Sequence, residues 1–160
     1  MKKIALHVLL MVAFMLGGCA VKTPITSSDS YLVTIKNKKI ALSDMGFLNH
    51  GKEYTNLQIF SAGSVLFNLE INNNVCLDGR CTDRLEFNRL FFENEHYETM
   101  INDILNMTPL YNGKNMVKIE GGFEQELELQ NSHIVYKVQN KSLYFRDSKN
   151  SILIKLKESK

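Results

Sequence analysis

The chain has 160 residues, enough for one domain, and carries 19 lysines and arginines against 17 acidic residues. This near balance argues against a nucleic-acid partner, because nucleic-acid binding depends on neutralising many phosphates. No dense basic run offsets that balance.

The first eighteen residues have the pattern of a secretory signal. Met1-Lys2-Lys3 is a short basic start, and residues 4–16 are apolar apart from His7. A basic start, about 7–15 apolar residues and a small-residue site are typical of an export signal. The run is too short to span a membrane, which takes about 20 apolar residues. We therefore predict that residues 1–18 form a signal peptide that is removed.

The end of this segment, Leu16-Gly17-Gly18-Cys19, resembles the lipobox of bacterial lipoproteins. The resemblance implies cleavage before Cys19, diacylglycerol on its sulfur and an acyl chain on its new amino group. Two or more acyl chains anchor a protein stably, whereas one does so only marginally. Ala20 follows the cysteine where retained inner-membrane lipoproteins often carry aspartate, which favours the outer membrane. The alternative is an ordinary signal that happens to contain a cysteine.

The segment after the signal is short, polar and contains Pro24. Such a composition is typical of a flexible linker. We predict a lipidated tether over residues 19–30 and a single, mostly β domain over residues 31–160. Loss of Lys2 and Lys3 with the signal leaves 17 basic and 17 acidic residues, so the mature chain is neutral.

Two further cysteines, Cys76 and Cys81, flank Asp78-Gly79. This dipeptide favours a two-residue hairpin turn, because both central positions take positive φ. The turn would place the cysteines opposite each other, close enough for a disulfide. Reduced thiols stay open as an alternative. Metal or redox chemistry is disfavoured, because the histidines have no paired spacing and the cysteines are not CxxC.

Alternating apolar residues and polar turns predict short antiparallel strands. In residues 64–71 the alternation puts Val65, Phe67, Leu69 and Ile71 on one face. The other predicted strands cover residues 31–35, 40–42, 116–120, 123–129, 133–138, 143–146 and 152–156.

One segment has helical spacing instead. Apolar residues recur three and four positions apart from Tyr97 to Leu105, and Thr108-Pro109 follows. We predict a helix over about residues 93–106. The fold class is therefore α+β: a mostly antiparallel, curved, half-barrel-like sheet packed around one central helical segment.

Catalytic motifs are missing from the sequence. There is no GxSxG, phosphate loop or dinucleotide fingerprint. Glu124, Glu126 and Glu128 share one strand face, which is more typical of a solvated surface than of a cation site. We predict a non-catalytic protein with no metal and no cofactor apart from the lipid on Cys19.

The order of lipobox, tether, strands, hairpin, central helix ending in proline and antiparallel meander is similar to the LolA/LolB family of lipoprotein carriers. The segment Leu105–Leu110 resembles the helix end in that family, with Met107-Thr108 where glycine is usual. The resemblance implies a half-barrel that binds acyl chains between sheet and helix. Residues expected to line such a cavity are Phe67, Leu69, Tyr97, Met100, Ile101, Ile104, Phe123, Ile134 and Tyr136. The same residues would equally form a dry, packed core.

Three functions follow. The first is a lipid-anchored outer-membrane protein acting as a binding or structural module for envelope proteins, on the periplasmic or the surface side. The second is a LolB-like carrier or acceptor of lipids or lipoproteins. The third is a surface adhesin.

Overall fold

A computed structural model describes residues 25–159, which form an open antiparallel sheet of eleven strands with two short helices. The strands are β1 Ile25–Lys36, β2 Ala41–Gly51, β3 Tyr54–Ser61, β4 Ser64–Ile71, β5 Val75–Leu77, β6 Arg80–Thr82, β7 Met116–Ile119, β8 Gly122–Leu129, β9 Ser132–Gln139, β10 Ser142–Asp147 and β11 Ile152–Glu158. The helices are α1 Arg84–Phe92 and α2 Met100–Leu105, and a 3-10 turn covers Tyr111–Gly113. The predicted signal peptide, Cys19 and the first part of the tether lie outside the described residues.

Two antiparallel meanders make up the sheet, β1 to β6 and β7 to β11. They join through the β1–β11 ladder, in which Val33 lies opposite Leu156 and Ile35 opposite Ile154. The helical segment connects β6 and β7, which are the two opposite edges of the sheet. It therefore crosses one face of the sheet, which we call the inner face. The prediction of a mostly antiparallel sheet is confirmed.

The predicted tether is too long. β1 begins at Ile25, so residues 25–30 belong to a strand rather than a linker. Residues 27–30 pair with residues 47–50 of β2, whereas the ladder to β11 begins only at Tyr31. This extension has a partner on one side and is largely exposed, which explains its polar, linker-like composition.

The prediction of one helix over residues 93–106 is only partly correct. α2 lies inside that range, but residues 93–99 are not helical, and a second helix, α1, precedes them. Asp83 caps α1 by accepting a hydrogen bond from the Glu86 amide at 2.9 Å. Glu93 ends it in the left-handed conformation, with φ of 55°. Residues 84–92, which contain three phenylalanines, thus form a helix of their own.

The core lies between the inner face and the two helices. α1 buries Phe87, Phe91 and Phe92. The Phe92 ring meets Phe145 of β10 edge to face, with ring centroids 5.8 Å apart. The Tyr136 hydroxyl of β9 donates to the Ile104 carbonyl oxygen of α2 at 3.4 Å. Both helices are therefore fixed to the C-terminal meander.

Close approach of β2 to its neighbours depends on Gly46. A Cβ at this position would lie 2.5 Å from the Gln58 carbonyl oxygen and 3.0 Å from Cγ2 of Val33. Both distances are shorter than normal contacts, so a side chain would force the strands apart. Glycine is needed here for space.

The predicted cysteine hairpin is present. Cys76 and Cys81 are direct partners between β5 and β6, and their sulfurs are bonded. Asp78 and Gly79 have φ of 49° and 80°, as a two-residue turn of this type requires. The Asp78 carboxylate also accepts a hydrogen bond from the backbone N–H of Asn68 in β4, at 2.8 Å. The disulfide therefore closes the edge hairpin of the sheet.

Replacing both Cys76 and Cys81 with serine should lower the free energy of unfolding by about 2 kcal/mol, because the closed loop is short and its entropy is small. Urea unfolding of the variant and of the wild type, both without reductant, measures the difference. Adding reductant should bring the wild type to the value of the variant. Equal stability of the two proteins without reductant would contradict a stabilising role for the disulfide.

Candidate functional site

The residues predicted to line a cavity share one interior. Seven are buried, and the other two, Tyr97 and Phe123, are partly buried and packed against the same cluster. The seven are Phe67, Leu69, Met100, Ile101, Ile104, Ile134 and Tyr136. They come from β4, α2 and β9, so the sheet and the helix meet here.

This interior is packed at its centre. Met100, Ile104, Ile134 and Tyr136 are each 0% exposed. A void large enough for water would leave part of the bordering side chains accessible, so no such void adjoins these four. Burial also raises the pKa of Tyr136, which keeps its phenol protonated as the donor to Ile104. An acyl chain could enter this region only if α2 moved off the sheet.

A buried polar cluster lies where α1 turns toward α2. His96 is 5% exposed, and its Nδ1 lies 2.6 Å from the Tyr111 hydroxyl. The Asn88 side chain donates to the Tyr97 carbonyl oxygen at 2.8 Å. Burial lowers the pKa of His96, although the charge of Asp147 opposes the shift. The His96 imidazole is therefore neutral at physiological pH.

Three polar atoms of this cluster have no hydrogen-bond partner among residues 25–159. They are Asn88 Oδ1, His96 Nε2 and the Tyr97 hydroxyl. A buried polar atom without a partner costs about 1–3 kcal/mol. His96, Tyr97 and Tyr111 also line a surface cleft beside α1, and the described residues around it include no serine, threonine or cysteine.

The sequence did not single out His96 as a site. Strand alternation and helical spacing are patterns of apolar residues, and a single histidine between two helices belongs to neither pattern. Its burial arises from tertiary contacts, with the Phe92 ring at 5.4 Å and the Tyr111 ring at 6.3 Å between centroids. Such contacts cannot be derived from spacing.

Acid should destabilise the protein through His96. An unfolded histidine has a pKa of about 6.5. Below that pH the unfolded state binds a proton that the folded state excludes, because the folded pKa is lowered. The stability contribution is therefore complete above about pH 6.5 and is lost as the pH falls toward the folded pKa.

Urea unfolding on both sides of this pH checks the effect. His96→Gln, which does not titrate, should lose less stability on acidification than the wild type. An equal loss in both proteins would rule out the buried imidazole as the cause.

The acidic face of β8 is a solvated, ion-paired surface. Glu126 lies 2.8 Å from Nε2 of His133, and Glu128 bonds to Lys149. The Lys149 hydrogen bond lowers the pKa of Glu128. Within residues 25–159, no group of three or more histidine, cysteine, aspartate and glutamate side chains is placed to hold a metal ion.

No protein-family model matches the chain, and no curated protein aligns with it significantly. Neither described helix has the length and apolar content needed to cross a bilayer.

Proposed function

We propose that this chain is a lipid-anchored lipoprotein of the bacterial outer membrane, whose domain acts as a non-catalytic binding or structural module. The observation that carries the proposal is Leu16-Gly17-Gly18-Cys19, placed after a basic start and an apolar run. Cys19 would carry diacylglycerol and an N-terminal acyl chain. The first strand that the structure describes, β1, begins at Ile25, six positions later.

The disulfide supports an exported location. Disulfides form and persist outside the reducing cytoplasm. The chain has three cysteines, and Cys76 and Cys81 are bonded to each other. Cys19 is therefore the one that would carry lipid.

The packed interior favours a module over a carrier that holds acyl chains in a preformed cavity. The space between sheet and helices is filled by apolar side chains at its centre. Partner proteins of the envelope would then bind the outer surface of the domain.

Cys19→Ala tests the anchor. Cells fed a labelled fatty acid should label the wild type and not the variant, because the thiol that accepts the lipid is gone. The variant should also keep residues 1–18, since the lipoprotein peptidase acts on lipidated substrate. Lipid labelling of Cys19→Ala at the wild-type level would overturn the proposal.

One observation favours the LolB-like carrier as a second candidate. Helices that cross the inner face of an open antiparallel sheet are the arrangement that the LolA/LolB resemblance implies. A carrier would need α2 to separate from β9, which would break the contact between Tyr136 and Ile104.

A further inference from the structure

The outer face of β1 to β4 carries a contiguous apolar surface, the outer apolar patch, made by Leu32, Met45, Phe47, Phe60 and Val65. Leu32 and Met45 are direct partners across β1 and β2, and Phe60 and Val65 are partners across β3 and β4. The rings of Phe47 and Phe60 meet edge to face at 5.7 Å. The exposed fractions of Leu32, Met45, Phe47 and Val65 are 45%, 42%, 45% and 50%.

A β-bulge helps to create the patch. The register between β3 and β4 shifts between Ile59 and Phe60, so that Phe67 pairs with Ile59 but Val65 pairs with Phe60. Alternation predicted Val65 on the same face as Phe67, and this is wrong. Bulges re-aim side chains locally. Here both Val65 and its neighbour Leu66 are exposed.

Basic side chains lie beside the patch on the same face. Lys157 of β11 is the direct partner of Leu32, and Lys155 is the partner of Thr34. Leu153 of β11 is paired on one side with Lys36 and on the other with Arg146. We call Lys36, Arg146, Lys155 and Lys157 the basic row. All four are exposed, and none pairs with a carboxylate of residues 25–159.

The proposed lipid attachment point, Cys19, precedes the first residue of β1 by six positions. From Cys19 to Ile25 the chain reaches at most about 20 Å. From Ile25 to Leu32, seven residues of β1 extend about 23 Å. The strand that begins nearest to Cys19 therefore carries part of the patch and borders the basic row.

We propose that the outer apolar patch and the basic row dock on the bilayer surface, with the basic row against anionic phospholipid headgroups. This inference rests on the proposed lipid anchor. Exposed apolar surface rimmed by polar groups often marks a membrane or protein contact. Surface binding to membranes combines buried apolar area with attraction to anionic lipids, which is the pairing found here. Docking turns α1 away from the membrane, toward envelope partners.

Tryptophan scanning tests the docking, because the chain has no tryptophan of its own. Phe47→Trp reports the patch, and Leu90→Trp on α1 is the matched control, since the two native side chains are 45% and 41% exposed. The full lipidated proteins are placed in vesicles of phosphatidylethanolamine and phosphatidylglycerol. Phe47→Trp should emit at shorter wavelength and be quenched by brominated lipid, whereas Leu90→Trp should not.

Charge removal tests the basic row in the same background. Replacing Lys155 and Lys157 with glutamine should reduce the ratio of docked to undocked protein about fivefold for each lysine, given the usual attraction of one basic residue to an anionic surface. Vesicles without phosphatidylglycerol should give a similar loss of quenching. Neither change should prevent flotation of the protein with the vesicles.

The outcomes separate the two proposals. A protein that carries no lipid and does not float with vesicles would refute the anchor. A protein that floats while Phe47→Trp stays unquenched would overturn docking and leave the anchor intact. A wavelength shift that occurs without vesicles, together with cross-linking between copies through the patch, would overturn docking in favour of self-association.

Discussion

Phe92→Ala should lower the free energy of unfolding by about 3–5 kcal/mol, as truncation of a fully buried phenylalanine does. Phe92 is 0% exposed and packs edge to face against Phe91, Phe145 and His96. Removing its ring leaves a cavity at the point where α1 meets β10. Urea or thermal unfolding measures the loss.

Leu90→Ala is the matched control on the same helix. Leu90 is 41% exposed, so its truncation should change stability by no more than about 0.5 kcal/mol. Similar small effects of both substitutions would show that α1 is not fixed to the sheet through Phe92.

Ile101→Trp should destabilise the protein by about 1–3 kcal/mol or more, because overpacking a filled core forces side chains and backbone to shift. Ile101 is 1% exposed, and its neighbours Met100 and Ile104 are 0% exposed. There is no room for an indole ring between α2 and the sheet. Urea unfolding checks the expected loss.

The same variant separates the packed module from the LolB-like carrier. In a carrier, α2 would separate from β9 to admit an acyl chain, and the tryptophan would occupy that space and abolish binding of a fluorescent fatty acid. In a packed module, the wild type should bind no fatty acid in this interior. Leu66→Trp, at an exposed position of β4, is the control and should be tolerated. A stable Ile101→Trp variant that loses fatty-acid binding shown by the wild type would establish the carrier.

The regular part of the fold follows from the sequence. Alternating residues of the C-terminal third, separated by polar turns, predict β7 to β11 within one or two residues of their observed ends. Asp78-Gly79 between two cysteines predicts the hairpin and its pairing. These signals are local, because side chains of a half-buried strand alternate and a tight turn requires particular residues.

The remaining features depend on contacts distant in sequence. The apolar spacing predicted one helix. In the structure, Glu93 in the left-handed conformation ends α1, and a loop that contains the buried His96 separates it from α2. Alternation placed Val65 inside, whereas the bulge in β4 turns it outward into the outer apolar patch. The predicted lining residues lie in one hydrophobic cluster or pack against it, but their spacing in the sequence does not show whether that interior is hollow or filled.

The central proposal, a lipid anchor at Cys19, is tested most directly by the mass of the N-terminal peptide of the protein purified from the cell envelope. We expect a peptide that begins at Cys19 and carries diacylglycerol and an acyl chain. A peptide that begins at another residue, or that begins at Cys19 with a free thiol, would contradict it.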